Sequence, residues 1–249
     1  ARYGGRLSSV VDIQMKDGNL DKLEGSGNIG LVSAKLMLSG PIVKGKTSFI
    51  VSARRTLLEP YFAAINHYNV PLNGNRLGYS FLDLQGKLQH VIGPKDRLVL
   101  SGYVGGDRFY SGYDIDTSGV RNVFDFGLRW SNAVGSLQWR HEWSQQLFSN
   151  LSLLFSQYKY TAESEADLQL SGNSSIVNSL TTSSSVRDLG LRWSFDLMAS
   201  SHHWLRFGAA TTRHVFDPER FFQQVTGAPT DSLSTELSPL YLGVLADRD

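Results

Sequence analysis

Cysteine is absent from the 249-residue chain, which removes disulfides, thiolate nucleophiles and cysteine metal sites together and leaves the redox compartment undetermined. No stretch approaches the ~18 to 20 consecutive apolar residues of a membrane-crossing helix. Sustained 3.6-residue periodicity is almost missing, so helices are expected to carry little of the chain. Excess charge is missing too. Lys plus Arg number 24 and Asp plus Glu 23, a formal net charge of +1, so no whole-molecule field draws in nucleic acid or favours an anionic membrane surface. With 41% hydrophobic residues, 19% charged residues and 24 glycines, the composition argues against an ordinary water-soluble core.

What the chain does have is alternation. From Asp188 to Leu197, Leu189, Leu191, Trp193, Phe195 and Leu197 fall on one face of a strand, and Asp188, Gly190, Arg192, Ser194 and Asp196 on the other. Leu82 to Gln89 repeats the pattern, with Leu82, Leu84 and Leu88 opposite Asp83, Gln85, Lys87 and Gln89. Phe124 to Trp143 keeps strand character throughout, with Phe124, Phe126, Leu128 and Trp130 in one phase and Leu137 and Trp139 in the other. A bulge near Gly135 and Ser136 is the expected cause of that change. Runs of this length exceed the strands of a soluble sandwich and suit a tilted transmembrane wall.

Connections alternate in length. Short polar turns are expected at Val43–Thr47, Gly93–Asp96, Ser144–Gln146 and Ser200–His203, and long Gly/Ser/Asn-rich loops near Phe62–Gly78, Gly105–Asn122, Glu163–Ser185 and Asp217–Ser234. The intervening strands fall near 20–29, 31–41, 47–60, 79–92, 97–110, 123–143, 147–162, 186–198, 204–216 and 235–249. The fold class is therefore all-β, an antiparallel transmembrane β-barrel of which about ten strands are present. Interfacial aromatic girdles are expected from Tyr61, Phe62, Tyr79, Phe109, Tyr110, Tyr113, Phe124, Tyr158, Tyr160 and Phe216 at the long-loop ends. Trp139, Trp143, Phe148 and Trp204 would serve at the short turns. Charges of both signs in the polar phases, Lys35, Arg54, Asp83, Lys87, Arg129, Asp188, Arg192, Asp196 and Arg206, should face a lumen.

Three patterns resemble chemistry. Gly40-Pro-Ile-Val-Lys-Gly-Lys46-Thr47 satisfies the phosphate-loop spacing, but the β-rich Ser48–Ala53 follows where a helix is required, so a tight hairpin explains it. Asp114, Asp116, Ser118, Gly119, Asn122 and Asp125 stand at calcium-loop spacing, with Asp in the last place and strands rather than helices on either side. His67, His90, His141, His202, His203 and His214 show no metal-ligand spacing beyond one adjacent pair, and no Ser/His/acid set can be nominated for an esterase. No catalytic residue, metal ligand or cofactor is assigned, and substrate-binding residues are undefined.

The opening residues, Tyr3-Gly-Gly-Arg-Leu-Ser-Ser-Val-Val-Asp12, and the block Gly40-Pro-Ile-Val-Lys-Gly-Lys-Thr-Ser-Phe-Ile-Val-Ser-Ala-Arg-Arg-Thr56 together resemble TonB-dependent outer-membrane receptors. The likeness is to the SusC-like relatives that carry a carboxypeptidase-regulatory-like N-terminal domain. The resemblance implies that residues 1–18 are the last strand of a plug domain and 19–249 the first half of a plugged barrel of about 22 strands. It implies that the chain is a portion of a longer protein whose export signal, most of the plug and remaining strands lie outside it. It implies a Gram-negative outer-membrane location among outer-membrane lipids, and active import of a nutrient captured by long external loops. It further implies coupling to TonB through an N-terminal segment ahead of Ala1, a surface lipoprotein or other outer-membrane subunits as further partners, and no nucleic acid. The alternatives are a scaffolding barrel within a larger outer-membrane complex and, from another class, an outer-membrane enzyme.

Lys46 is expected to serve a turn and not a phosphate. Lys46→Ala should shift stability by no more than about half a kcal/mol, and equilibrium dialysis should detect no saturable ATP binding in either form; binding lost in the variant overturns the hairpin reading.

Overall fold

The computed structural model describes residues 15–68, 75–117, 119–170 and 174–227. They form β1 (Glu24–Ile29), β2 (Ser33–Val43), β3 (Thr47–Thr56), α1 (Glu59–Tyr68), β4 (Asn75–Val91), β5 (Asp96–Thr117), β6 (Val120–Ser144), β7 (Leu147–Leu170), β8 (Ser174–Met198) and β9 (Trp204–Thr226). Every strand pairs antiparallel with its neighbour in sequence, giving one nine-stranded sheet in the order β1 to β9. The chain is all-β, and among the described residues the sheet stays open, with β1 and β9 as its edges. The expected strand at 235–249 lies outside the described residues.

Directly paired residues of an antiparallel sheet share a face, so the register sorts the side chains. One row runs Phe49↔Leu88↔Leu100↔Leu137↔Leu153↔Leu191 across β3 to β8. Around it lie Val51, Leu82, Leu84, Leu98, Val104, Trp139, Leu151, Phe155, Leu189, Trp193, Phe195 and Phe207, all on the same face. Lys, Arg, Asp and Glu are absent from this band. Its side chains are open: Leu100 is 52% exposed, Leu191 47% and Trp193 45%. The only buried hydrophobic among the described residues is Val99. Covering one leucine contributes about 1.5–3 kcal/mol, and soluble monomers rarely expose contiguous apolar patches above a few hundred Å². The band therefore calls for an apolar neighbour.

The next row on the reverse side runs Gln89↔Val99↔Gln138↔Ser152↔Arg192. This polar face backs the band along its whole width. The band is also oblique to the ladder. The row Thr47↔His90↔Leu98↔Trp139↔Leu151↔Trp193↔Ala209 starts at the foot of β3. By β7, β8 and β9 it stands four residues above the lowest band positions Leu147, Leu197 and Leu205. The row thus climbs against the level of the turns between β3 and β6 and then stays level to β9, and strands staggered in this way are tilted as in a barrel wall.

The four short turns fall where the sequence places them, after β2, β4, β6 and β8. The long loops do not. Strands β5 to β9 continue through most of 105–122, 163–185 and 217–226, reaching 22 to 25 residues. Part of 62–78, together with the end of the expected strand 47–60, is instead α1. Glu59 lies in its first turn and bonds Arg55, and Asn66 docks it by exchanging two 3.0 Å hydrogen bonds with the Leu77 backbone. The expected bulge at Gly135–Ser136 is absent, because β5–β6 pairing is unbroken there. Register shifts sit at Pro41/Val43, Glu142/Ser144 and Ser183/Ser185 instead. The phase change in β6 is an exchange of faces: Trp130, Leu128, Phe126 and Phe124 project from the polar side, above the band.

A charge placed in the band should cost more than one placed behind it. Trp193→Arg sits mid-band, where an arginine at a bilayer midplane costs about 2–4 kcal/mol, whereas Ser194→Arg enters the polar face. The yield of folded, heat-modifiable full-length protein should be well lower for Trp193→Arg; equal yields, or the reverse order, sink this register.

Candidate functional site

The motifs with apparent chemistry are taken up by the sheet. Lys44, Gly45 and Lys46 form the β2–β3 turn, with Gly45 at φ +70°, a conformation that favours glycine. Thr47 hydrogen-bonds His90 at 2.8 Å, and β3 follows where a phosphate loop needs a helix. Of the calcium-spaced residues, Asp114, Asp116, Asn122 and Asp125 lie on the β5–β6 ladder and Gly119 turns between them at φ +82°, while Ser118 lies outside the described residues. Arg121 forks onto both oxygens of Asp114, at 2.8 and 2.6 Å, and Arg76 reaches Asp125 at 2.9 Å. The hydrogen bonds from Arg121 hold the Asp114 carboxyl below its ordinary range. Arginines thus pair with two of the pattern's carboxylates, Asp114 and Asp125.

The histidines are scattered. His141 meets Asp96 at 2.7 Å, His214 meets Asp188 at 2.8 Å, and His202 and His203 each bond a neighbouring serine in one turn. Among the described residues no three metal-ligating side chains converge.

The polar face is organised at two levels. Low on it, Met15–Leu20 runs across β2, β3 and β4. Lys87 donates to the Met15 carbonyl at 3.0 Å and pairs with Asp17 at 2.6 Å, while the Asn19 amide donates to Ser39 at 2.9 Å. The approach is close enough that a Cβ on Gly18 would overlap the Phe49 backbone, so glycine is required there. Ser39, Ser48 and Gln89 are buried. Residues 1–14 of the expected plug strand lie outside the described residues.

Higher up, Arg54 donates to Asp83 Oδ2 from Nε at 2.9 Å and from Nη2 at 2.5 Å, and Tyr103 donates to Asp83 Oδ1 at 2.8 Å. Tyr79 donates to Asp107 at 2.5 Å, and Gln85 to Ser52 at 2.7 Å. Arg54 also lies 4.9 Å from the Phe81 ring centre. Lys35, Ser52, Arg54, Asp83, Gln85 and Tyr103 line a concavity of about 290 Å³. Above it, Tyr79 packs on Phe81 and Trp130, Phe109 on Phe126, and Tyr113 stacks on Phe124. The register adds Tyr160 opposite Trp130 and Tyr158 opposite Asn132. The arrangement offers flat apolar surfaces beside paired, directional polar groups, the mixture found in binding sites.

Eight of the nine charges expected to share a lumen do share the polar face: Lys35, Arg54, Asp83, Lys87, Asp188, Arg192, Asp196 and Arg206. Arg129 does not. Pairing opposite Arg108 puts it on the band's side, above the band, bonded to Glu163. The upper aromatic girdle is corrected as well, since Tyr79, Phe109, Tyr113, Phe124, Tyr158, Tyr160 and Phe216 lie on the polar face and only Tyr110 on the band's side; Tyr61 and Phe62 ride on α1. At the lower rim Trp139 is on the band's side, and Trp143 bonds Ser149 there at 3.0 Å, while Phe148 and Trp204 are on the polar face. The aromatic tract was visible as the Phe124–Trp130 phase, but its companions across β4 and β5 needed the register.

Comparison with protein-family models, with curated proteins and with solved structures finds no match.

Lys87→Met should free Met15–Leu20 by removing the cation that holds Asp17 and the Met15 carbonyl, a loss of about 1–3 kcal/mol. A spin label at Lys22 should become more mobile while one on β7 stays unchanged. An unchanged Lys22 spectrum would show that the segment is held elsewhere.

Proposed function

We propose that the chain is part of the wall of a plugged outer-membrane β-barrel of the TonB-dependent receptor type, and that the full protein imports a nutrient across that membrane. The supporting observation is the division of faces across β3 to β9: an uncharged, exposed apolar band on one side, a polar face on the other, and Met15–Leu20 seated low on the polar face. A bilayer is the apolar neighbour that such a band fits. The polar face would then line the lumen, and Met15–Leu20 would enter from the periplasmic end as the plug leads into the wall. The Arg54–Asp83–Tyr103 cluster and the aromatic tract above it would form part of the surface that receives the nutrient. The two sequence blocks that resemble TonB-dependent receptors flank the same junction.

Single cysteines at Asp116 and Ser175 should be labelled by a membrane-impermeant maleimide on intact cells. Those at Lys44, Lys95, Gln145 and His202 should react only after the outer membrane is opened. Equal labelling of both sets rejects the membrane topology. Correct labelling, with a phenotype unchanged when the TonB-contacting segment of the full protein is deleted, favours a scaffolding barrel over a transporter.

A further inference from the structure

On the band's side of the sheet, the first charged residue above the band is a cation on every strand from β3 to β9. Moving up each strand from the band, the first charged side chain is Arg55 on β3, Arg76 on β4, Arg108 on β5, Arg129 on β6, Lys159 on β7, Arg187 on β8 and Arg213 on β9. Cationic and acidic residues are almost equally common, 24 against 23, so an even draw would give seven cations running roughly once in a hundred. All seven are exposed. The lower rim differs, since below the band no strand from β3 to β9 carries Lys or Arg on this side.

The cations form a belt. Arg108 stands directly opposite Arg129. Gln157 opposite Arg187 puts Lys159 on its diagonal, and Leu189 opposite Arg213 does the same for Arg187. Like charges paired across strands repel unless an anion lies between them. Arg55, Arg76, Arg129 and Arg187 have acidic neighbours at Glu59, Asp125, Glu163 and Asp217. Arg108, Lys159 and Arg213 have none among the described residues. Exposed pairs of this kind hold weakly, and guanidinium groups bind phosphate oxygens in a bidentate fork.

We propose that this belt binds the phosphate-bearing headgroups of anionic lipids in the leaflet bordering the upper rim. The inference rests on the band being covered by a bilayer. Acyl chains against the band put headgroups at the height of the first polar side chains, where each cation contributes surface attraction. The lipid would bridge neighbouring strands from outside, on the side opposite the nutrient surface.

The test uses the full-length protein in phosphatidylcholine bilayers, with spin-labelled phosphatidic acid and spin-labelled phosphatidylcholine as probes of the motionally restricted lipid shell. At low salt the wild type should favour phosphatidic acid by about fivefold, and 0.5 M salt should erase most of that preference. The triple variant Arg108→Gln, Lys159→Gln, Arg213→Gln should bring it close to one. The control Arg97→Gln, Arg192→Gln, two cations of the polar face without an ion pair among the described residues, should leave it intact. A protein that does not insert, or shows no restricted shell, refutes the membrane reading itself. An inserted protein with a normal shell but no preference, or a preference the triple variant keeps, overturns the belt alone.

Discussion

Between Asn75 and Met198 the backbone ladder runs through four strand pairs with a single interruption, at the Glu142/Ser144 turn. With Val99 as the only buried hydrophobic among the described residues, the sheet has no core to fix that register from within. The faces fix it instead. Slipping β8 by one residue would send Asp188, Arg192 and Asp196 into the band and Leu189, Leu191 and Trp193 to the polar side. Register, band and polar face are one constraint, and an apolar neighbour outside the sheet has to enforce it.

Much of this could be read from the sequence where apolar and polar residues strictly alternate. Asp188–Leu197 and Leu82–Gln89 show both faces directly, and the short turns carry the Gly, Ser and Lys residues that reverse a chain. The upper strands look like loops in the sequence for a physical reason. Their side facing away from the aromatic tract meets water, so Gly105–Asn122 and Glu163–Ser185 are rich in Gly, Ser, Asp and Thr, a composition shared by loops and by solvated strands. The ladder, not composition, makes them strands. Helix α1 leaves little signal in the sequence because it spans only Glu59–Tyr68 and buries none of its residues; Asn66 and Arg55 anchor it, and such contacts leave no periodic trace.

The candidate site was legible only in its parts. Arg54 and Asp83 stood out as charges in polar phases, yet nothing in the sequence said that 29 residues of separation close to a 2.5 Å contact. Tyr103 and Gln85 join them only because β4 pairs with both β3 and β5. The calcium spacing was equally silent about its partners: Arg121 lies within the loop pattern itself, and the hairpin folds it back on Asp114.

The exchange of faces shows how little such a wall needs to change its neighbour. A bulge would have re-aimed Leu137 and Trp139 relative to Trp130, but the β6 ladder keeps strict alternation through Gly135 and Ser136. Only the choice of residues changes. In β7, Leu151, Leu153 and Phe155 face the band's side, and three residues later the aromatic groups Tyr158 and Tyr160 are on the other. Strands of 24 or 25 residues run about 80 Å, far more than the roughly 30 Å that a hydrocarbon layer would cover, and the upper part of each extends beyond the band. There the band's side is charged and meets water, and the opposite side gathers aromatics that water would leave uncovered. A net charge of +1 conceals all of this, because the sorting is by height and by face, and neither is a property of composition.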